Sequence, residues 1–439
     1  MKSKRVLLLM AGAAIALLAS CTSPSVKSDR QIILPAPTST FTVSPTATPE
    51  NVPEHTSALS TASATATAPV TSTLSSALTA QDTLALVNGT LVDGTGAEAI
   101  SNASIVIRGD RIVAVGPRAS VSIPASAQVL DVGGGTILPG LINAHVHFAF
   151  DEGKLEAWAQ GGVTTVRDEG ITSSRPITEL LALRDATRKN PKYARLVSSG
   201  YMMTVPDGYG DLFVVSTQDA RLKVLWQLDA GVDMIKVSLE DGYAGKSGLP
   251  KLSQEELKAI IAAAHERGTR VSGHITQARY LNDLVDVGVD DVAHNVYDVI
   301  PLDVLQRMAA RGIYLVPTFT VFRNYNAPVQ TCVENLRHFV EQGGQVALGN
   351  DYGGGPDQFE LGIPMYEIEM MSKAGMTPMQ IIVASTLHAA HVAHLENELG
   401  TLEPGKIADV LVVKGNPLQD LHALTDVQLV IHAGVVIRN

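Results

Sequence analysis

The sequence predicts an α/β chain: a (β/α)8 TIM barrel inserted into a small β-sandwich that is built from both ends of the folded part. Three observations predict it. From residue 141 to residue 351, eight short apolar runs alternate with helical stretches. On either side of that region the pattern changes to short alternating runs bounded by turn dipeptides. The barrel runs end in histidines and a carboxylate, and the C-terminal ends of the strands are where barrel active sites sit.

The first residues stand outside this scheme. Lys2, Lys4 and Arg5 precede an apolar run over 6–18. This is the layout of a secretory leader, and it is shorter than the roughly 20 residues that cross a bilayer. The leader is expected over 1–20. Its end, Leu18-Ala19-Ser20-Cys21, resembles a bacterial lipobox. That resemblance implies a lipid on Cys21, a membrane anchor, and a cell-envelope location facing the periplasm or the cell surface; an ordinary leader or an uncleaved anchor is the alternative. Residues 21–81 are rich in Ser, Thr, Ala and Pro. They lack the apolar content to offset their ordering entropy and read as a disordered tether. Cys332 is the only other cysteine and is expected to be a small buried apolar residue. The net charge of −11 argues against a nucleic-acid partner.

The small domain occupies 82–139 and 400–439. In its first piece, runs at 84–87, 90–92, 104–108, 111–115 and 129–132 are punctuated by Asn88-Gly89, Asp93-Gly94 and Gly109-Asp110, which read as hairpin turns. Runs at 408–414 and 427–437 supply the second piece.

The barrel domain is expected over 140–399, with strands at 141–147, 164–168, 195–200, 234–238, 270–274, 291–294, 314–318 and 346–351. Helices are expected at 177–189, 253–267 and 301–311, the second opened by a Ser253/Glu256 capping box. His145 and His147 end the first strand two residues apart, so their side chains share a face. His274 ends the fifth strand, His294 the sixth and Asp351 the eighth. Lys236, in the fourth, faces inward with Met234 and Ser238 by the period of two. An ammonium facing a barrel core is costly without a partner. One reading pairs it with Asp351 or Asp168. The other lets desolvation favour the neutral amine, which adds CO2 and becomes an anionic carbamate.

The segment Ile137-Leu-Pro-Gly-Leu-Ile-Asn-Ala-His-Val-His147 and the later Gly400-Thr-Leu-Glu-Pro-Gly-Lys-Ile-Ala-Asp409 resemble the amidohydrolase superfamily, in its imidazolonepropionase-like and prolidase-like branch. The resemblance runs from about residue 84 to the C-terminus. It implies two divalent metal ions, zinc by the His/carboxylate donor set. His145, His147 and Asp351 would hold one, His274 and His294 the other, and a CO2-derived carbamate on Lys236 would bridge them. A hydroxide between the ions would attack the substrate, with Asp351 moving its proton.

Arg167 and Asp168 read as a structural ion pair or hydrogen-bond anchor. Tyr201, Tyr209, Tyr243, Arg323 and Tyr325 lie just beyond strands three, four and seven. Of these, Tyr243 and Arg323 are the candidates for substrate binding, Arg323 for a carboxylate. His388, His391 and His394 repeat every third residue; that spacing drifts around a helix, so they are not read as a metal site. The chain departs from the family pattern at Asn350 and in the loop 201–211, which are walls of the pocket and not ligands.

The expected activity is hydrolysis of an amide in an Xaa-Pro dipeptide or acyl-amino acid. A single-metal cyclic-amide hydrolase or deaminase, a lactonase or phosphotriesterase-like esterase, and a catalytically silent surface binding lipoprotein are the alternatives. The expected partners are a small-molecule or dipeptide substrate and the membrane that holds the lipid; a homo-oligomer is left open.

Overall fold

The computed structural model describes residues 83–171, 174–242, 247–324, 328–354 and 360–439. Cys21 and the tether lie outside the described residues, as do Tyr243 and Tyr325.

The two terminal pieces join edge to edge. Val410–Val413 runs antiparallel to Thr136–Pro139, with Val410 opposite Pro139 and Leu411 opposite Leu138. On one side of this seam lie Val427–His432 and Val435–Arg438; on the other lie Thr83–Leu91, Ile100–Arg108 and Arg111–Pro117, with Gln128–Asp131 also pairing Thr83–Leu91. The strands of the expected sandwich therefore form one mixed sheet of eight among the described residues. Leu86, Ile105, Ile137, Val410, Val412 and Ile431, from both pieces, share one buried core. That shared core is the physical reason the ends of the chain meet.

Asn88-Gly89 is not a hairpin turn. A single strand, Thr83–Leu91, runs through it, and the register against Ile100–Arg108 shifts at Gly89. Asn88 takes a left-handed φ of 62°, and a Cβ on Gly89 would lie 2.6 Å from Ile137 Cδ1 and 2.8 Å from Val132 Cγ2. The dipeptide makes a β-bulge under close packing, with the same residue types a tight turn would use. Gly109-Asp110 does make the expected turn, between Ile100–Arg108 and Arg111–Pro117.

In the inserted region parallel strands alternate with helices. Leu141–Val146, Val163–Asp168 and Arg195–Ser198 form one sheet. Ile235–Ser238, Val271–His274, Asp291–Ala293 and Tyr314–Val316 form another, extended at its edge by the short strands Met203–Thr204 and Leu212–Phe213. Two features depart from a closed eight-stranded barrel. The third and fourth strands are not laddered; the Asp233 N–H donates to Ser198 O at 2.9 Å where they approach. Residues 346–352 make no regular strand, only isolated parallel bridges, Leu315 with Val346 and Val146 with Tyr352. Gly349 explains the tight course of this segment, since a Cβ there would lie 2.5 Å from Val316 Cγ1 and 2.8 Å from His145 Cβ.

The helix Gln254–Glu266 begins with the expected capping box of Ser253 and Glu256. Asp409, which closes the Gly400–Asp409 motif, accepts a hydrogen bond from Arg195 at 2.7 Å and so ties the terminal sheet to the third barrel strand. Among the described residues no helix is long and apolar enough to cross a membrane.

Candidate metal centre

His145, His147, Lys236, His274, His294 and Asp351 come together at the C-terminal ends of the parallel strands. His145 and His147 reach the same space with their Nε2 atoms 3.4 Å apart. Asp351 Oδ1 lies 3.4 Å from His145 Nε2 and 3.2 Å from His147 Nε2, and its Oδ2 lies 3.6 Å from His294 Nδ1. The imidazoles form a row, with ring centroids 5.3 Å apart for His147 and His145, 4.8 Å for His145 and His294, and 4.6 Å for His294 and His274. Lys236 is buried among them, and its charge bears on His145, His274, His294 and Asp351.

The backbone is bent to achieve this. His294, Thr318 and Asp351 have φ of 79°, 51° and 54°, a region L-residues enter at a cost, and one that clusters at functional sites. Asn143 and Asn350 lock the first and last segments together: Asn143 Nδ2 donates to Asn350 Oδ1 at 2.8 Å, and Asn143 Oδ1 faces the backbone N–H groups of His145 and Asn350 at 3.3 Å each. The Asn350 that departs from the family pattern is thus a clasp. Thr318 Oγ1 lies 2.8 Å from His294 Nδ1 and orients that ring. The turn carrying Thr318 is held in turn by Glu367, which accepts from Phe319 N, Thr320 N and Thr320 Oγ1 at 2.8, 2.9 and 2.9 Å.

Electrostatics fit a cation. Burial, then Lys236 and His294, keep His145 well below its usual value, and burial with His274 does the same to His294. Both rings are therefore neutral and offer lone pairs. Burial opposes charge on His147, yet the hydrogen bond and charge of Asp351 outweigh it and lift His147 to about 9, so that without a metal this ring carries a proton that a bound cation would displace. Burial likewise opposes ionisation of Asp351, but His147, His294 and Lys236 hold it well below the ordinary carboxylate range. Two donors on a tetrahedral zinc with bonds of about 2.1 Å stand about 3.4 Å apart. The triangle of His145, His147 and Asp351 has edges of 3.4, 3.4 and 3.2 Å, so these residues fit the ion. His145, His294 and Asp351 form a second overlapping set, with donor atoms within 4.8 Å of one another. The other pair is tighter: His294 Nε2 and His274 Nδ1 lie 2.8 Å apart, in hydrogen-bond contact.

Lys236 takes neither of the partners expected for a paired lysine. Its ammonium hydrogen-bonds Glu169, which also lies 2.8 Å from Arg167 Nε. Arg167 in turn grips Asp291 with two bonds of 2.9 Å. Glu169 had a legible signal: two residues beyond Arg167 on a strand, it shares Arg167's face. Glu240, equally unforeseen, sits two residues past Ser238, with Oε2 3.4 Å from His274 Nε2 and 2.6 Å from Thr276 Oγ1. Arg167 and Asp168 are structural. Asp168 accepts from Ala149 N at 3.0 Å and Gly170 N at 3.2 Å, and burial pushes it up to about 6.

The remaining sequence candidates divide. Tyr209 faces His274 with ring centroids 4.8 Å apart. Tyr201 stacks on Trp226, and its hydroxyl donates to Arg175 O at 2.7 Å, a packing role. Arg323 lies on the helix Phe319–Asn324 with its guanidinium 4.2 Å from the Tyr366 ring. His388 and His391 pack against Tyr314. Cys332 is fully buried, and burial pushes its thiol up to about 12, which leaves it inert.

The model of the amidohydrolase family (Amidohydro_1) matches residues 136–437. The chain belongs to the amidohydrolase family. It is similar to ochratoxinase of Aspergillus niger, 24% identical over 78% of this chain and 84% of that protein. It is similar also to imidazolonepropionase of Symbiobacterium thermophilum, 26% identical over 72% of this chain and 85% of that protein. Among solved structures, a Xaa-Pro dipeptidase with methionine bound in its active site superposes with a TM-score of 0.72 at 25% identity, covering 81% of this chain and all of the other. The fold is thus α/β with a TIM-barrel-like domain, and the protein is a metal-dependent hydrolase of this family with amide-hydrolysing relatives.

Proposed function

We propose that the protein is a binuclear metal hydrolase that cleaves an amide bond in an Xaa-Pro dipeptide or a related acyl-amino acid. The observation that carries this reading is the meeting of Asp351 with His145 and His147 at zinc-donor spacing, with Lys236 buried in the same cluster. His145, His147 and Asp351 would hold one ion, His274 and His294 a second, and Lys236, as a carbamate, would join them. Zinc suits the donor set. A metal held by these residues would supply Lewis acidity toward a carbonyl and would bring a water's pKa to about 7. Asp351 accepts the proton from the attacking water and delivers it to the leaving amine. Thr318 holds the His294 ring in register, and Glu240 lies beside His274. Arg323, on the helix Phe319–Asn324, would bind the substrate's carboxylate, and Tyr243 another part of the substrate.

A single-metal reading is favoured by one observation: His274 and His294 close on each other at 2.8 Å while Lys236 is engaged by Glu169. Metal analysis separates the two. Two ions per chain after loading with zinc and bicarbonate, and loss of most of that metal in Lys236→Ala, support the binuclear centre. One ion per chain, unaffected by Lys236→Ala, refutes it. A panel of dipeptides, acyl-amino acids and lactones then assigns the bond cleaved.

The same reading gives the domain layout as leader 1–20, tether 21–81, and a barrel over 140–399 set between sheet pieces 82–139 and 400–439. It also gives an envelope location through a lipid on Cys21. Cys21→Ser then releases the protein from the membrane fraction; a fully membrane-bound variant refutes lipidation.

A further inference from the structure

We propose that an aromatic collar of Phe148, Tyr209, Tyr297 and Phe322 brackets the histidine row and selects amides that carry an aromatic or bulky apolar side chain. The inference rests on the amide-hydrolase reading and names its substrate class.

Phe148 is the decisive residue. It follows His147 directly, its ring centroid is 6.4 Å from that imidazole, and 52% of it is exposed. Its φ of 56° is a region bulky residues rarely adopt and one that clusters at ligand sites. An exposed phenyl ring adds little to folding, so neither the strain nor the exposure is explained by the core. The conformation is held in place nonetheless. Lys154 Nζ donates to Phe148 O at 3.0 Å. Gly354 leaves room for the ring, since a Cβ there would lie 3.2 Å from Phe148 Cδ2.

The other rings come from separate segments: Tyr209 and Tyr297 from loops, and Phe322, 2% exposed, from the helix Phe319–Asn324, where it backs Tyr297. Tyr209 stands at the far end of the row, 4.8 Å from His274 between centroids. Phe322 lies 6.1 Å from His294 and carries Tyr297 at 5.1 Å, itself 37% exposed. A substrate placing its scissile carbonyl over the row therefore meets π-faces and apolar edges on both sides. Rings at such separations favour aromatic and bulky apolar groups by offset or edge contact, and a pocket of this kind discriminates against a missing apolar group by about 10- to 200-fold.

The experiment compares Phe-Ala, Ala-Phe and Ala-Ala with the zinc-loaded full chain, in the parent, Phe148→Gly and Phe148→Leu. We expect kcat/KM for at least one phenylalanine dipeptide to exceed that for Ala-Ala by about 10- to 100-fold. Phe148→Gly should cut that ratio several-fold while the melting temperature holds or rises, because glycine accepts φ > 0 without strain. Phe148→Leu should restore part of the ratio. Equal turnover of all three dipeptides, an unchanged ratio in Phe148→Gly, or a clear fall in its melting temperature overturns the collar. If none of the three is cleaved, Xaa-Pro dipeptides and N-acyl-amino acids decide whether the amide reading falls, and the collar is judged by binding of the same three dipeptides: preferential binding of the phenylalanine forms that Phe148→Gly abolishes supports it, and equal binding overturns it.

Discussion

In the metal-free chain, where Lys236 carries no carbamate, removing Asp291 should unbalance the charge buried beneath the metal centre. Arg167, Lys236, Glu169 and Asp291 are all 1% exposed or less, and the two cations match the two anions. Arg167 spends two bonds of 2.9 Å on Asp291, one contact of 2.8 Å on Glu169, and further bonds to Ala144 O at 2.6 Å and Val392 O at 3.0 Å. Asp291→Ala leaves one net positive charge in the interior, and breaking a buried pair in this way costs about 3–5 kcal/mol. Arg167→Met leaves one net negative charge and should cost a similar amount. The double variant Arg167→Met/Asp291→Leu restores neutrality, with Glu169 still joined to Lys236. It should therefore lose less than the two single variants together, by about 2 kcal/mol or more. Urea denaturation followed by circular dichroism measures all three. Single variants within about 1 kcal/mol of the parent, or a double variant that loses the full additive amount, would refute the view that this quartet acts as one neutral unit.

Further predictions concern neighbouring residues. Burial raises Glu367 to about 8 from an ordinary 4.5, so between those values the folded chain keeps a proton that the unfolded chain releases. Stability from this group is fullest below about pH 4.5 and declines as pH rises toward 8, by up to about 1.4 kcal/mol per pH unit. Glu367→Gln should flatten that slope when urea midpoints are compared at pH 5.5 and 8.5; an unchanged slope means that Glu367 is ionised in the fold. Gly349→Ala drives a Cβ against Val316 and His145 and should cost about 1–3 kcal/mol together with a loss of zinc affinity in a chelator competition. Normal stability and affinity in that variant would show that the segment has slack.

Much of the centre is legible before folding. A strand's period of two commits His145 and His147 to one face, and aims Lys236 inward whatever the tertiary context. The alternation of strand and helix fixes which ends carry His274, His294 and Asp351. The Ser253/Glu256 cap is a local exchange of hydrogen bonds and needs no distant partner. The same local logic fails at Asn88-Gly89, where the bulge depends on Ile137 and Val132 from other parts of the sheet.

What only the tertiary structure decides is who answers whom. Arg167 and Asp291 are 124 residues apart in sequence, and Asn143 and Asn350 are 207 apart. No periodicity relates such pairs, because side-chain reach across packed strands selects them. Lys236 meets Glu169 and neither Asp168 nor Asp351 for the same reason: Glu169, at the end of the second barrel strand, and Lys236, on the fourth, reach each other across the interior although no ladder joins their strands. Local chemistry names the groups that bind a cation, whereas the close packing of distant segments sets their distances, charges and strain.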